Sequence, residues 1–155
     1  MRSIELVRHK ERLDALFQRV KLAELDPDMI SHWSRYLCVL VSGFIEVSVQ
    51  SILTRFAEKQ AAPPVAYFVS RRVRDLMNPK MGKILDAIGD FDPKVKEEIA
   101  KLTEGELRNA VDGVVQNRNK IAHGTEIGIG FATIENYYRS IVKVIELIES
   151  KFPAN

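Results

Sequence analysis

Residues 36–54 carry a single charged group, Glu46, and this apolar run constrains the fold more than any other feature of the chain. Its flanks have helical signals: Asp26 can cap and Pro27 can open a helix, and Trp33, Leu37, Leu40, Phe44, Ile52 and Phe56 recur at helical spacing to about residue 59. The segment Ala61-Ala62-Pro63-Pro64 then ends it. Ser42, Gly43, Ser48, Gln50 and Ser51 interrupt the run too often for a good membrane span. The reading is the central helix of a helical bundle, with no membrane association.

The rest of the chain supplies the surrounding helices. Residues 2–24 set Leu6, Leu13, Leu16, Phe17 and Val20 on one inward stripe, and residues 132–152 do the same with Ile134, Tyr138, Ile141, Ile145, Ile148 and Phe152. Between them, short helices are expected at 66–77 and 80–89, and Asp92-Pro93 restarts one to about 102. Thr103 and Glu106 have the spacing of a capping box, which predicts that the next helix starts there. Gly124 ends it, and a loop with Gly128 and Gly130 leads to the last helix. No repeat, low-complexity tract or linker interrupts the sequence. With 46% apolar and 28% charged residues, it reads as one all-α domain over 1–155, a four- to five-helix bundle with short extra helices.

Cys38 is the only cysteine, so neither an intrachain disulfide nor a multi-cysteine metal site can form, and a buried thiol in a reducing, cytoplasmic setting is the simplest reading. Charges run through the first 21 residues, which therefore lack the apolar stretch of a secretory signal.

Chemistry concentrates in Asn117-Arg118-Asn119-Lys120-Ile121-Ala122-His123-Gly124. The helix leading into it carries Leu107, Val111, Val114 and Ile121 on its apolar stripe, and Arg118 takes the remaining position on that seam. Burying an unpaired guanidinium costs several kcal/mol, so Arg118 needs a partner, a ligand or a route to water. Glu46, the other charge on an apolar helix, is the expected partner. The neighbouring stripe, Arg108, Asp112, Gln116, Asn119 and His123, is polar throughout, with Asn119 and His123 at i and i+4 on one face. In the last turn, beside unsatisfied carbonyls, His123 is set to exchange protons. Arg118 offers a forked positive charge to a phosphate, and Asn119 can orient a phosphate oxygen or a 2′-hydroxyl, with Asn117 in support. This chemistry calls for no metal and no cofactor. The same residues also fit a bland reading, in which His123 is a helix C-cap and Arg118 half of a structural ion pair.

A net charge of +2 does not by itself announce a polyanionic partner, so any affinity for RNA must come from local clustering. Arg71, Arg72, Arg74, Lys80 and Lys83 lie within 13 residues, opposed only by Asp75, and Lys120 adds a cation inside the motif. This is either a phosphate-facing patch or a solvated helix face. Trp33, Tyr36, Tyr137 and Tyr138 could stack on bases, but their helical spacing favours the core.

Arg118-Asn119-x-x-x-His123 followed by glycine resembles the Arg-polar-x3-5-His signature of the HEPN superfamily of small helical ribonucleases and RNA-binding domains. The helix Ser34–Leu53, with Gly43, Phe44 and Glu46, resembles the Gly-aromatic-x-Glu helix of the RiboL-PSP-HEPN subgroup, and with the order of segments the likeness covers most of the chain. The resemblance implies a metal-independent endoribonuclease that attacks single-stranded RNA through its own 2′-hydroxyl, leaving a 2′,3′-cyclic phosphate. It also implies a toxin or phage-defence role, with an antitoxin or defence-system partner. One motif offers a single histidine, whereas metal-free cleavage needs more than one proton-transfer or charge-stabilising group. Resemblance and chemical need both point to a homodimer with a composite site. The alternative from another class is a non-catalytic helical module that binds RNA, a nucleotide or a protein.

Overall fold

Asp26 launches the central helix as its position predicts, its carboxylate accepting the Met29 N–H at 3.0 Å with Pro27 in the first turn. From there the helix runs unbroken to Gln60. The structure, a computed structural model, describes residues 3–154, in which the elements are α1 (Ile4–Leu22), α2 (Pro27–Gln60), α3 (Pro63–Val73), α4 (Met81–Phe91), α5 (Pro93–Leu102), α6 (Glu106–Ala122) and α7 (Phe131–Lys151). The fold is all-α, with no strand among the described residues. Four long helices, α1, α2, α6 and α7, make the bundle, and α3, α4 and α5 are the short additions.

Side-chain contacts fix the helix directions. Phe44 meets Tyr138 and Phe56 meets Phe152, so α2 and α7 run parallel. The Tyr138 hydroxyl donates to Asp14 at 2.8 Å, while the Ser3 N–H reaches Glu149 at 3.3 Å, so α1 runs antiparallel to α7. Gly113 packs against the Tyr137 ring, and Asn117 shares a pocket with Thr133, which sets α6 antiparallel to α7 and hence to α2. The Cys38 thiol lies 3.5 Å from the Val114 carbonyl and marks where α2 and α6 are level. Of the described helices, α2 alone is long and apolar enough to cross a membrane, but 56% of its most apolar window is buried inside the protein. Its apolarity serves a core that extends through every helix, from Leu6 to Phe152.

Several sequence expectations need correction. Thr103 does not cap α6: it is buried at the end of α5, where its hydroxyl donates to the Ile99 carbonyl at 2.8 Å. Gly105, at φ 76°, makes the turn instead and occupies the N-cap position, a left-handed conformation that a side chain would strain. Pro63 and Pro64 do more than end α2; they form the first turn of α3, which starts earlier and stops earlier than expected. Asp92 caps α5 by accepting the Lys94 and Val95 N–H groups at 2.8 and 3.3 Å. The first helix ends at Leu22, just ahead of Glu24 at φ 47°, and its expected start at residue 2 lies outside the described residues.

The most consequential correction concerns Glu46. Among the described residues it forms no ion pair with Arg118; its carboxylate accepts the Asn78 N–H at 2.6 Å. One turn on, the Gln50 amide donates to the Leu76 carbonyl at 3.1 Å. Glu46 and Gln50 therefore hold the α3–α4 connection, where Asn78 takes a left-handed φ of 44°. Asp112 completes the clamp from α6 by accepting the Met81 N–H at 2.8 Å at the start of α4. The geometry explains the missed pair. Beyond the level point at Cys38 and Val114 the antiparallel helices carry Glu46 and Arg118 in opposite directions, about 18 Å apart along the axis at the helical rise. Glu46→Ala is accordingly expected to lower stability by about 1–2 kcal/mol, with Glu46→Gln, which keeps an acceptor, losing less. Urea melts of the two variants check this, and wild-type stability in Glu46→Ala would refute the clamp.

Candidate functional site

Helix α6 ends as its sequence dictates. Gly124 adopts φ 72°, its N–H donates to the Ile121 carbonyl at 3.1 Å, and the Thr125 N–H reaches back to the Lys120 carbonyl at 2.9 Å. This paired closure is the Schellman arrangement, and it places His123 at the C-cap with its side chain exposed.

Arg118 sits one turn beyond the buried Val114 and Val115, on the seam as expected. It is half-buried, its apolar stem lying along the seam while Nη1 makes a long 3.4 Å contact with Asn119 Oδ1. The guanidinium thus meets its neighbour's amide oxygen rather than a carboxylate. Both residues lie within two turns of His123, so a forked cation, an amide and an imidazole gather at one helix end.

The structure divides the rest of the motif. Successive helical residues turn by about 100°, so Asn117 and Lys120 face away from Asn119, toward α7. There they line a pocket of about 340 Å³ with Glu126, Gly128, Gly130 and Thr133. That pocket opens beside the start of α7, next to the site but around the helix from the Arg118–Asn119 pair.

Sequence reasoning passed over one pair at this end of the bundle. Arg35 precedes the level point on α2 by about as much as Arg118 follows it on α6, so the antiparallel packing brings both to the same height. The Arg35 guanidinium donates to His32 Nδ1 at 2.7 Å and approaches Ser31 at 3.3 Å. The i, i+3 spacing of His32 and Arg35 was the available signal, but their height relative to α6 is a tertiary fact.

The basic cluster is exposed throughout and is divided between the end of α3 and the start of α4. Arg71, Arg72 and Arg74 line a concavity of about 290 Å³ with Asp75 at the end of α3. Lys83 shares a different, larger cavity with Arg72, and Lys80 stands at the start of α4, beside the backbone that Asp112 holds. Since Gln50 binds Leu76, the α3 arginines lie toward the C-terminal half of α2, far along the bundle from the α6 terminus.

The remaining notable groups are structural. Burial pushes the Cys38 thiol up to about 11, consistent with a core role. Burial and the bond to Asp14 raise Tyr138 far above the usual phenol range, while its ring stacks on Phe17 at 4.8 Å. Desolvation lowers His9, helped by Arg12 and opposed by Glu5, and its ring packs edge-on to Phe44 at 5.2 Å. Trp33 packs against the core, but Tyr36 is 52% exposed and departs from the core expectation. No group of three or more His, Cys, Asp or Glu side chains suited to a metal ion occurs among the described residues.

The sequence matches the family described as RiboL-PSP-HEPN over residues 4–153. Neither the curated proteins nor the solved structures yield a match to this chain.

Proposed function

Because this chain belongs to the RiboL-PSP-HEPN family, whose domains have ribonuclease or RNA-binding roles, we propose that it is a metal-independent endoribonuclease acting on single-stranded RNA. The observation that carries the reading is the α6 terminus, where the Schellman turn leaves His123 exposed within two helical turns of Arg118 and Asn119. His123 takes the 2′-hydroxyl proton or protonates the leaving 5′-oxygen. Arg118 neutralises charge on the phosphorane-like intermediate, and Asn119 orients the phosphate or the 2′-hydroxyl. Attack of the 2′-oxygen on phosphorus expels the 5′-oxygen and leaves a 2′,3′-cyclic phosphate, so atoms balance without a co-reactant. A second proton-transfer group comes from a second copy of the chain across a two-fold axis. Incubation with mixed single-stranded RNA in EDTA is the deciding experiment. Cleavage that stops when a 2′-deoxy residue is placed at the cut site supports the mechanism, and binding without turnover would replace it with a non-catalytic module.

The α3 cluster is assigned to RNA phosphates. Arg71→Glu, Arg72→Glu and Arg74→Glu together are expected to weaken RNA binding and to flatten its dependence on salt, since each lost phosphate contact removes roughly 0.7–0.9 from the log–log slope. Thermal stability should hardly move, all three side chains being exposed. An unchanged slope across a salt titration would reduce the cluster to a solvated face.

A further inference from the structure

Two concavities adjoin between α3 and α4. The larger, about 490 Å³, has an apolar interior that includes Phe68, Leu76 and Phe91, with Lys83, Asp86 and Asp90 contributed by α4. The smaller is the arginine pocket at the end of α3. Arg72 and Asp75 line both, so they form one continuous depression. Its α3 wall exposes the Phe68 ring at 64%, and Tyr67, the preceding residue on the same helix, is 65% exposed. Each ring has an arginine one turn on, Arg71 and Arg72 respectively, so flat apolar faces alternate with forked cations along the helix.

We propose that this depression binds a nucleoside phosphate, with the base stacked on Phe68 in its apolar part and the phosphate on Arg71, Arg72 and Arg74. Each part of the site matches a part of that ligand. Base stacking needs an exposed ring, which Phe68 provides. The phosphate needs bidentate cations, and three guanidiniums outweigh the single Asp75 among them. At the far side Asp86 is engaged by Lys96 at 2.8 Å, whereas Asp90 is exposed and has no partner among the described residues. A free carboxylate there accepts a hydrogen bond from the base edge, and the larger adenine ring stacks on Phe68 more strongly than uracil does. A purely apolar peptide would leave the guanidiniums unused, and an acidic one would meet Asp86 and Asp90.

The depression is distinct from the α6 terminus. Sixteen residues of α2 separate the height of Gln50, which holds Leu76, from that of Ser34 near Arg118, about 24 Å at the helical rise. The proposal rests on the phosphate reading of the α3 arginines and is independent of cleavage.

Calorimetric titration of the full chain with adenosine monophosphate, uridine monophosphate, inorganic phosphate and a non-cleavable 2′-O-methyl oligoadenylate tests it. Wild type is expected to bind the adenosine nucleotide more tightly than the uridine nucleotide or phosphate alone. Phe68→Ala should weaken the adenosine nucleotide roughly 10-fold, a typical stacking loss, and leave phosphate unaffected, whereas Arg72→Gln should weaken both. Oligonucleotide binding with the same sensitivity to the variants, without binding of the free nucleotide, would place the recognised unit within an RNA strand and support the site. Wild type that binds none of the ligands, or affinities unmoved by Phe68→Ala, would overturn it. Both side chains are exposed, so circular dichroism of the variants should remain native. Nucleotide binding here in a protein that cuts no RNA would keep this site and remove the nuclease reading; RNA cleavage without nucleotide binding here would do the reverse.

Discussion

Cleavage of single-stranded RNA in EDTA is expected to slow by roughly 10²- to 10⁴-fold in His123→Ala, the usual loss when a positioned acid–base group is removed. Arg118→Ala should lose roughly 10²- to 10³-fold, because it deletes a preorganised cation where negative charge develops. Neither change should unfold the protein. His123 is exposed, and its backbone closure depends on Gly124 rather than on the imidazole; Arg118 is half-buried, with Asn119 as its contact. Thermal melts run beside the kinetics separate chemistry from folding. Arg118→Lys is informative too, since it keeps the charge but loses the planar fork, and full activity there would show that a point charge suffices. Wild-type turnover in folded His123→Ala would end the assignment of chemistry to the α6 terminus.

The second large effect is expected from association. A single α6 terminus supplies one exposed imidazole, so a monomer should lack one proton-transfer group and fall short by a further factor of roughly 10²–10⁴. Specific activity should therefore drop with dilution through the dimer dissociation range, in step with the molar mass measured by light scattering. The competing source is in the same chain: His32, held by Arg35 and close in height to Arg118. His32→Ala discriminates between them. If the second group belongs to a partner copy, this variant keeps nearly wild-type activity and the dilution effect persists. If His32→Ala is as damaging as His123→Ala and a monomer cuts at full rate, the composite site is wrong. Mixing His123→Ala with Arg118→Ala chains adds a further test, because heterodimers regain one intact copy of each group, and partial recovery supports shared chemistry.

Helices and their ends were legible in the sequence because they depend on neighbours a few residues apart. Asp26 with Pro27, Asp92 with Pro93, and Gly124 each act over one turn and did what local chemistry predicts. The apolar run of α2 and the stripe of α7 likewise announced a bundle, since hydrophobic periodicity is a property of a single helix. The seam position of Arg118 and the C-cap position of His123 followed from the same arithmetic. The capping-box reading of Thr103 failed because two local solutions competed, and packing chose the one that buries the threonine on α5. Partners between helices were not legible. Two charges that look misplaced on separate helices need not meet, and the antiparallel run of α2 and α6 moves Glu46 away from Arg118 and toward the α3–α4 loop. The same packing brings His32 and Arg35 to the motif's end of the bundle, and the packing of α4 sets Asp90 and Phe91 opposite Phe68 and the α3 arginines across one depression. Sequence alone determined the helices, the core and the chemical groups of the α6 terminus, because these arise from contacts along the chain. Tertiary structure alone decided which groups share a height and a face, because helix direction and level are set by how whole surfaces pack, and no short run of residues records them.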